Sequence, residues 1–302
     1  PGATISPASG SVQNFTTPVR YTVTSEDKAW HRVYAITARE QKASNIPTTY
    51  HFEKVRIMQN VWQEFYEEQD SGNELTWASG NKGFKWAMSE AATEDYPTTQ
   101  IDNGKTGKCV KLETRLTGDL GNMVGMPIAA GNLFIGSFDM LNAITNPLSA
   151  TRFGTPFYNK PLRLTGYYKY KAGEQFYENG EYTSRKDIFN IYAIFYDGVK
   201  YDSAGKGTDV TLDGNLPNQN YEHSSMVALA LVSNPQETEG DEWKFFDIPF
   251  DYQRYGKKID EARLAKGEYK IGIIFASSKD GATFEGAPGS TLLIDEVELI
   301  YE

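Results

Sequence analysis

Residues 290–301 read Ser-Thr-Leu-Leu-Ile-Asp-Glu-Val-Glu-Leu-Ile-Tyr, and the interpretation of the whole chain starts from this stretch. At the period of two that a β-strand imposes, one row of side chains consists of Leu293, Asp295, Val297, Leu299 and Tyr301. The row is apolar apart from Asp295, so we expect it to face a core and to carry one inward carboxylate. Such a carboxylate is costly to bury unless a cation, a hydrogen-bond donor or a metal ion meets it. The stretch therefore predicts a buried final strand and a specific partner for Asp295.

The composition limits the class of protein. The chain has 302 residues, enough for two domains or for one large β-domain. The net charge is −10 and no run of Lys or Arg interrupts it, which argues against nucleic acid and anionic membranes as partners. Aromatic residues make up 13% of the chain, an excess that suits β-strands, stacking on sugars, or both. The sequence has no stretch of transmembrane length and no signal peptide, so we expect an export signal to have been removed.

The first forty residues carry two strand patterns. Residues 18–25 and 30–39 alternate between apolar and polar side chains, with a turn at 26–28 between them. The segments Ile-Ser-Pro-Ala-Ser-Gly at 5–10 and Thr-Val-Thr-Ser-Glu-Asp at 22–27 closely resemble small immunoglobulin-like modules in surface lipoproteins of glycan-degrading gut bacteria. The resemblance implies an Ig-like β-sandwich segment over residues 1–40, with the earlier strands of the module outside this sequence.

Residues 41–302 are expected to form one β-domain. The polar stretch 41–49 is the best candidate for a linker leading into it. Eight strand patterns lie at 51–58, 107–115, 162–170, 188–196, 226–232, 243–250, 269–276 and 291–301. Strands in this number, with long and turn-rich connections, predict two packed antiparallel sheets. We expect the long connections to be either functional or disordered.

A series of short motifs runs through this domain. They are Trp77-Ala-Ser-Gly-Asn81, Gly104-Lys-Thr-Gly-Lys108, Ile128-Ala-Ala-Gly-Asn-Leu-Phe134, Asn146-Pro-Leu148, Phe153-Gly154, Gly166-Tyr-Tyr-Lys-Tyr170, Ser277-Ser-Lys-Asp-Gly281 and Gly289-Ser-Thr-Leu292. In this order they resemble the putative carbohydrate metabolism domain of surface proteins from gut glycan-utilisation systems. The resemblance implies a jelly-roll β-sandwich, similar to carbohydrate-binding modules, with a glycan-related role at the cell surface. In such modules the first and last strands pair, and a carboxylate from each can hold a structural calcium.

Glu53 and Asp295 are the candidate metal ligands. Glu53 shares its row with apolar residues, so it also falls on an apolar face. If the two strands pair, the carboxylates could meet at a calcium ion, with backbone carbonyls near 105–108 and water completing its six to eight oxygens. Alternatively, Arg115, Arg56 or a backbone amide satisfies Asp295.

Seven residues are candidates for binding a glycan, because aromatic rings stack on the apolar C–H face of a sugar while polar neighbours take its hydroxyls. They are Trp77, Trp86, Asn81 and Lys82 in one loop-rich stretch, and Tyr168, Lys169 and Tyr170 on one strand. Strand alternation keeps Lys169 from sharing a face with the two tyrosines. Burial in the core is the alternative for the aromatic rings, and it is weighed equally with binding for Trp77 and Trp86.

No sequence motif supports catalysis. A glycoside hydrolase needs two carboxylates that flank the bond, but 40 Asp and Glu residues make some close pair inevitable. The three His are scattered, and the sequence has neither a Gly-x-Ser-x-Gly elbow nor a complete phosphate loop. We therefore expect an extracellular or surface protein that binds a polysaccharide or oligosaccharide without catalysis, with any lipid anchor outside this sequence. The alternatives are a glycoside hydrolase or lyase with its site on the concave sheet, and a structural adaptor for a protein partner.

Overall fold

The computed structural model describes residues 2–37, 43–69 and 72–302, apart from the side chain of Ile144. The chain divides into two compact units, Pro1–Ala43 and Ser44–Glu302. The predicted boundary between residues 40 and 41 lies outside the described residues, as do residues 41 and 42 of the predicted linker.

In the described ranges no helix is both long and apolar enough to cross a membrane.

The first unit is a three-stranded antiparallel sheet. Its strands are β1 (Thr4–Ser6), β2 (Val19–Thr24) and β3 (His31–Ile36), in the order β1-β2-β3. Both predicted strand patterns contain a strand, and the turn between them is closed where Ser25 N donates to Trp30 O at 2.9 Å. None of the residues 2–37 is buried, so this part of the chain is a surface-exposed sheet.

The second unit consists of strands of very different lengths joined by short helices. Its strands are β4 (Thr49–Tyr50), β5 (Val55–Met58), β6 (Trp62–Glu68), β7 (Glu74–Thr76), β8 (Thr98–Ile101), β9 (Cys109–Glu113), β10 (Arg115–Leu116), β11 (Ile128–Ala129), β12 (Asn132–Phe134), β13 (Gly136–Phe138), β14 (Thr151–Phe153), β15 (Thr155–Pro156), β16 (Pro161–Lys171), β17 (Phe176–Glu178), β18 (Glu181–Thr183), β19 (Asn190–Asp197), β20 (Val199–Tyr201), β21 (Gly207–Asp209), β22 (Leu212–Asp213), β23 (Met226–Leu231), β24 (Lys244–Pro249), β25 (Tyr269–Ala276) and β26 (Thr291–Tyr301). Its α-helices are α1 (Asn81–Ala87), α2 (Gly118–Met123), α3 (Met140–Thr145) and α4 (Glu261–Leu264), and its 3-10 turns are Thr93–Asp95, Pro147–Ser149, Pro217–Gln219 and Gly281–Thr283. Each of the eight strand patterns predicted from the sequence contains one of these strands.

Two antiparallel sheets pack against each other around the main core. The five-stranded sheet has the order β12-β25-β19-β23, with β15 also paired to β25. The six-stranded sheet has the order β24-β16-β26-β9-β8, with β4 also paired to β26. Ile191 and Phe275 from the first sheet meet Leu164 and Ile294 from the second in one buried cluster. The predicted all-β fold class is confirmed.

A β-bulge interrupts the last strand. Thr165 and Tyr167 of β16 pair with Glu298 and Asp295 of β26, so β26 advances three residues where β16 advances two. Glu296, next to Asp295, takes a φ of 48°, in the left-handed region. An extra residue of this kind bends the strand and shifts the alternation of its side chains by one position.

The bulge moves Asp295 off the core face. The core side chains of β26 are Leu292 and Ile294 before the bulge and Val297 and Leu299 after it. The predicted row is therefore confirmed for Val297 and Leu299, after the bulge, and wrong for Leu293 and Asp295, before it. Asp295 lies on the outer face of the sheet, where it is nevertheless 0% exposed.

The partner predicted for the last strand was also wrong. β26 pairs with β4, where Val297 lies opposite Tyr50, whereas β5 belongs to a separate sheet with β6 and β7. Between β4 and β5 the chain turns at Phe52, whose φ is 54° and whose N donates to the buried Glu67 Oε1 at 2.7 Å. This turn places residues 55–58 in that separate sheet, from which Val55 still packs against the main core.

The long connection between β19 and β23 covers part of the outer face of the five-stranded sheet. Phe134, Tyr192 and Ile274 of the sheet form a second buried cluster with Leu212 and Tyr221 from the connection between β19 and β23. The second half of this connection is thus packed on the sheet, whereas residues 200–209 are exposed. One end of the face stays open, and α1, α2 and α3 gather around it.

Candidate functional site

A cleft of about 170 Å³ lies at the open end of the five-stranded sheet. Residues of α1, α2 and α3 line it together with the turns at 147–151 and 281–284. Its aromatic lining consists of Phe84, Trp86, Phe134, Phe138, Phe153, Tyr192 and Phe284. Apolar side chains dominate the site, so it suits a ligand that offers an apolar face.

A buried asparagine holds α1 at the cleft. The Asn81 side chain is 0% exposed; its Nδ2 donates to Thr98 O at 2.7 Å and its Oδ1 accepts from Thr98 N at 3.1 Å. Next to it, Gly80 N donates to Asn132 Oδ1 at 2.8 Å. These bonds anchor the start of α1 to the sheet, which places Trp86 of the same helix at the cleft.

A glycine lets α2 close against the following loop. A Cβ on Gly121 would lie 1.9 Å from Thr117 Oγ1 and 2.7 Å from Met126 O. The Thr117 hydroxyl donates to Met126 O, which closes the α2 loop on itself. This compact loop brings Val124 and Met126 into the cleft lining.

The described lining of the cleft contains no Asp or Glu. Its polar groups come from Thr117, Asn132, Thr151, Asn190, Ser278 and Lys279. A glycoside hydrolase of the usual kind places two carboxylates roughly 5–10 Å apart on either side of the scissile bond. Internal hydrogen bonds occupy the side chains of Thr117, Asn132, Asn190 and Ser278, so the lining offers a ligand mainly apolar surface and the exposed Lys279, but no acid and base.

Asp187 lies behind this lining and was not singled out by the sequence, because no motif surrounds it. It is 2% exposed, and its Oδ2 accepts from Ser278 Oγ at 2.6 Å, Ser290 Oγ at 2.7 Å and Ala287 N at 2.8 Å. Burial raises the pKa of its carboxyl, against these hydrogen bonds, which lower it. Its contacts mark Asp187 as the anchor of the turn that carries Ser278.

A more polar pocket of about 410 Å³ shares Phe284 with the cleft. Its lining includes Asn122, Tyr177, Asn179, Thr283 and Glu285. Tyr177 exchanges backbone hydrogen bonds with Gly286, which ties the β17–β18 hairpin to the turn beside Phe284. The two cavities together combine an aromatic end with a polar end, the combination that recognition of a sugar requires.

The structure separates the residues that the sequence grouped around α1. Trp86 is 38% exposed and lines the cleft. Lys82 is exposed but does not line it, and Asn81 is occupied by its structural hydrogen bonds. Trp77 is 1% exposed and packs against Tyr50, with ring centroids 5.0 Å apart. A sugar cannot reach Trp77 or Asn81 without opening the core.

Tyr168 and Tyr170 are core residues as well. Each is 2% exposed, and both rings lie 4.8 Å from the Phe189 ring. The stacking role predicted for them conflicts with this burial. Lys169 lies on the opposite, outer face, which it shares with Tyr167. The sequence interpretation missed Tyr167, although strand alternation gives it the same parity as Lys169.

Glu53 and Asp295 both reach the loop 104–108, where the sequence placed a metal site. The loop presents backbone N–H groups to them: Lys108 N donates to Glu53 Oε1 at 2.8 Å, and Thr106 N donates to Asp295 Oδ2 at 3.0 Å. Within residues 2–37, 43–69 and 72–302, no three His, Cys, Asp or Glu side chains gather closely enough to hold a metal ion. A set of N–H donors does not fit calcium, which takes oxygen ligands. Calcium here stays a prediction, and a backbone amide is what the structure places at Asp295.

Five of the eight motifs that carry the family resemblance contribute to the cleft. Lining residues come from the segments 77–81, 128–134, 146–148, 153–154 and 277–281. These segments are far apart in the sequence, and the fold brings them to one place.

Two protein-family models match the chain. The family model of the putative carbohydrate metabolism domain matches residues 51–300. The chain belongs to this family. A second family model, described as SGBP, N-terminal, matches residues 1–38. No curated protein matches the chain.

Two crystal structures of similar proteins are both described as those of a putative glycoside hydrolase. The protein from Bacteroides vulgatus ATCC 8482 is 50% identical; the match covers 86% of this chain and 100% of that one, with a TM-score of 0.79. The protein from Bacteroides thetaiotaomicron VPI-5482 is 45% identical; the match covers 100% of this chain and 84% of that one, with a TM-score of 0.76. The second unit is thus a carbohydrate-related domain.

Proposed function

We propose that this protein binds a glycan at the cell surface, without cleaving it, as part of a polysaccharide-utilisation system. The observation that carries the proposal is the cleft: segments of the family's own motifs build it, aromatic rings line it, and its described lining has no carboxylate. The match of residues 1–38 to the SGBP N-terminal family supports the surface location.

In this proposal the aromatic cleft and the adjoining polar pocket contact different parts of a sugar. Trp86 is the most exposed ring of the described lining, at 38%, and it offers a face on which the C–H side of a sugar stacks. Asn122, Tyr177 and Asn179 in the adjoining pocket present amide and hydroxyl groups to the sugar hydroxyls. A glycan several units long would occupy both cavities through the point where Phe284 joins them.

Calorimetry on the full chain with a panel of host and plant polysaccharides tests this proposal. Trp86→Ala should weaken binding by about 1–3 kcal/mol, or roughly 5–150-fold, on the scale of aromatic stacking against nucleic-acid bases. Trp30→Ala is the matched control, since Trp30 is 62% exposed and does not line the cleft. Binding that Trp86→Ala leaves unchanged would contradict the assignment of the cleft.

An assay for released reducing ends on the same panel tests for catalysis. We expect no turnover, because the cleft supplies no acid and base. Glu285→Gln and Asp187→Asn probe two carboxylates at the cavities, one lining the polar pocket and one bonded to Ser278. Turnover that either substitution abolishes would mean that the protein is an enzyme.

Docking of a protein partner is a second candidate function. Met123 on α2 and Leu141 on α3 are 82% and 83% exposed, and solvent-exposed apolar side chains of this size mark interaction surfaces when they cluster. Substituting both by Ser should leave glycan affinity unchanged if the cleft is the glycan site. Loss of binding to a purified partner in that variant, with no glycan bound by the wild type, would favour the adaptor role.

A further inference from the structure

The outer face of the six-stranded sheet carries a second group of aromatic rings. We call Tyr167, Trp243 and Phe245 the aromatic row. Tyr167 and Phe245 lie directly opposite each other on β16 and β24, with ring centroids 5.2 Å apart. Phe245 is 53% exposed and the other two rings are partly exposed. Their strand neighbours Tyr168 and Phe246 fill the core, so alternation turns the aromatic row towards solvent.

Two lysine side chains lie over the aromatic row. Lys105 Nζ is 4.9 Å from the centroid of Tyr167, and Lys169 Nζ is 4.9 Å from the centroid of Trp243. Lys169 also pairs with Asp241 at 2.5 Å; the Lys169 side chain is 12% exposed and the Asp241 side chain 98% exposed. Among the described residues no carboxylate forms an ion pair with Lys105. The ammonium group beside Tyr167 is therefore free for a ligand, whereas a ligand carboxylate beside Trp243 has to take the place of the exposed Asp241.

The position of Lys105 is built into the fold. The loop 104–108 donates backbone hydrogen bonds to Asp295 and Glu53, as described above. Asp295 is also the β26 residue opposite Tyr167. The buried carboxylate thus anchors the loop beside the very ring over which Lys105 lies, which makes Asp295 a positioning residue for that pair.

We propose that the aromatic row is a second glycan-binding surface, specific for polysaccharides that contain uronic acids. A uronic acid combines the two features that the row presents: a C–H face for an aromatic ring and a carboxylate for an ammonium group. A neutral sugar would use the rings alone.

The charges on this face support an acidic ligand. Arg163 pairs with Asp247 and Lys111 pairs with Glu113, so these cations are already neutralised. The positive charge left to a ligand comes from Lys105 at Tyr167, and Lys169 adds to it when a ligand carboxylate replaces Asp241. Because the whole chain carries a net charge of −10, binding of a polyanion depends on such a local site. The surface belongs to the other sheet and shares no residue with the cleft lining, so it goes beyond the proposed function.

The test uses one polymer in two charge states. Affinity electrophoresis and calorimetry compare the full chain on polygalacturonate, on the same polymer after methyl esterification, and on alginate. We expect binding to polygalacturonate or alginate, weakening as sodium chloride is raised, and about tenfold or greater loss on esterification, since a charge-assisted bond is removed. Equal affinity for the acid and the ester, or no binding to either uronate polymer, would overturn the proposal.

Variants locate the surface. Lys105→Gln combined with Lys169→Gln should abolish the preference for the acid over the ester, and Phe245→Ala should weaken both by roughly 5-fold or more. Lys200→Gln is the matched control, because Lys200 is exposed on β20 and lies outside the aromatic row. Thermal melts check that each variant folds.

The cleft variant separates the two proposals. Trp86→Ala should leave uronate binding unchanged, and the double lysine variant should leave the cleft ligand unaffected. Two results would contradict the second surface and place the uronate at the cleft instead. One is loss of uronate binding in Trp86→Ala; the other is a double lysine variant that still binds the acid better than the ester.

Discussion

Asp295 Oδ2 accepts a hydrogen bond from the backbone N of Thr106 at 3.0 Å, across a sequence separation of 189 residues. Its Oδ1 accepts from Glu296 N at 2.8 Å, inside the β-bulge of the last strand. One buried carboxylate therefore fixes both the bulge and the loop that carries Lys105. Since removing a buried acceptor orphans its donors, this residue links the stability of the sandwich to the shape of its outer face.

Stability should depend on the ionisation of Asp295. Burial raises the pKa of its carboxyl from 3.8 to about 6, against hydrogen bonds from Thr106 and Glu296 that lower it. The folded state thus keeps a proton that the unfolded chain has released, so the contribution of Asp295 to the free energy of unfolding falls as pH rises from about 4 to above 6. Asp295→Asn lacks this titration. The free energy of unfolding of Asp295→Asn, minus that of the wild type, should therefore be larger at a pH of about 7.5 than at a pH of about 4, by up to about 3 kcal/mol.

Urea unfolding at the two pH values measures this difference. Asp102→Asn serves as the control, because the Asp102 side chain is 91% exposed. A stability difference between Asp295→Asn and the wild type that does not change with pH would show that Asp295 ionises normally in the folded protein.

The loop 104–108 should tolerate no side chain at Gly107. Its φ is +61°, and a Cβ there would lie 2.1 Å from Glu53 Oε1. Gly107→Ala should therefore lose about 1–3 kcal/mol of stability from backbone strain, and more from displacement of Glu53. Gly205→Ala is a matched control with a φ of +77° and open space around its Cβ. Thermal melts that show equal losses for the two variants would contradict the close contact with Glu53.

Two tryptophans that the sequence treated alike should behave differently. Trp77 packs in the core against Tyr50 and Phe275, with ring centroids 5.0 and 5.9 Å away. Trp77→Ala should cost about 3–5 kcal/mol of unfolding free energy, whereas Trp86→Ala should cost about 1 kcal/mol or less. Urea denaturation of both variants measures this. A larger loss at Trp86 than at Trp77 would contradict the assignment of Trp77 to the core.

Chelation should have little effect on stability. Both oxygens of Asp295, and Oε1 of Glu53, already accept backbone N–H groups. We therefore expect EDTA to leave the Tm of the wild type unchanged. A fall in Tm that added calcium reverses, and that Glu53→Gln abolishes, would show instead that the predicted metal site exists.

Local patterns in the sequence were enough for most of the long strands, though not for β6, and for the all-β fold class and the family. Alternation and turn residues depend only on a few neighbouring positions. Each of the eight predicted patterns therefore overlaps a strand of the structure. The order of the motifs from Trp77 to Leu292 was enough for the family, since short identities in a fixed order do not depend on where the strands finally lie.

The faces and partners of those strands depended on long-range packing. Both rows of the last strand contain apolar residues, so the period of two could not reveal that the bulge at Glu296 exchanges them. The sequence Gly-Tyr-Tyr-Lys-Tyr at 166–170 likewise has no marker for its outward face; only its pairing with β24 and β26 turns Tyr167 outward and Tyr168 inward. The cleft, built from segments between residues 77 and 284, exists only once the two sheets have packed. A pattern with a period of two specifies that a strand forms, whereas the side that is buried is chosen by the surfaces it meets.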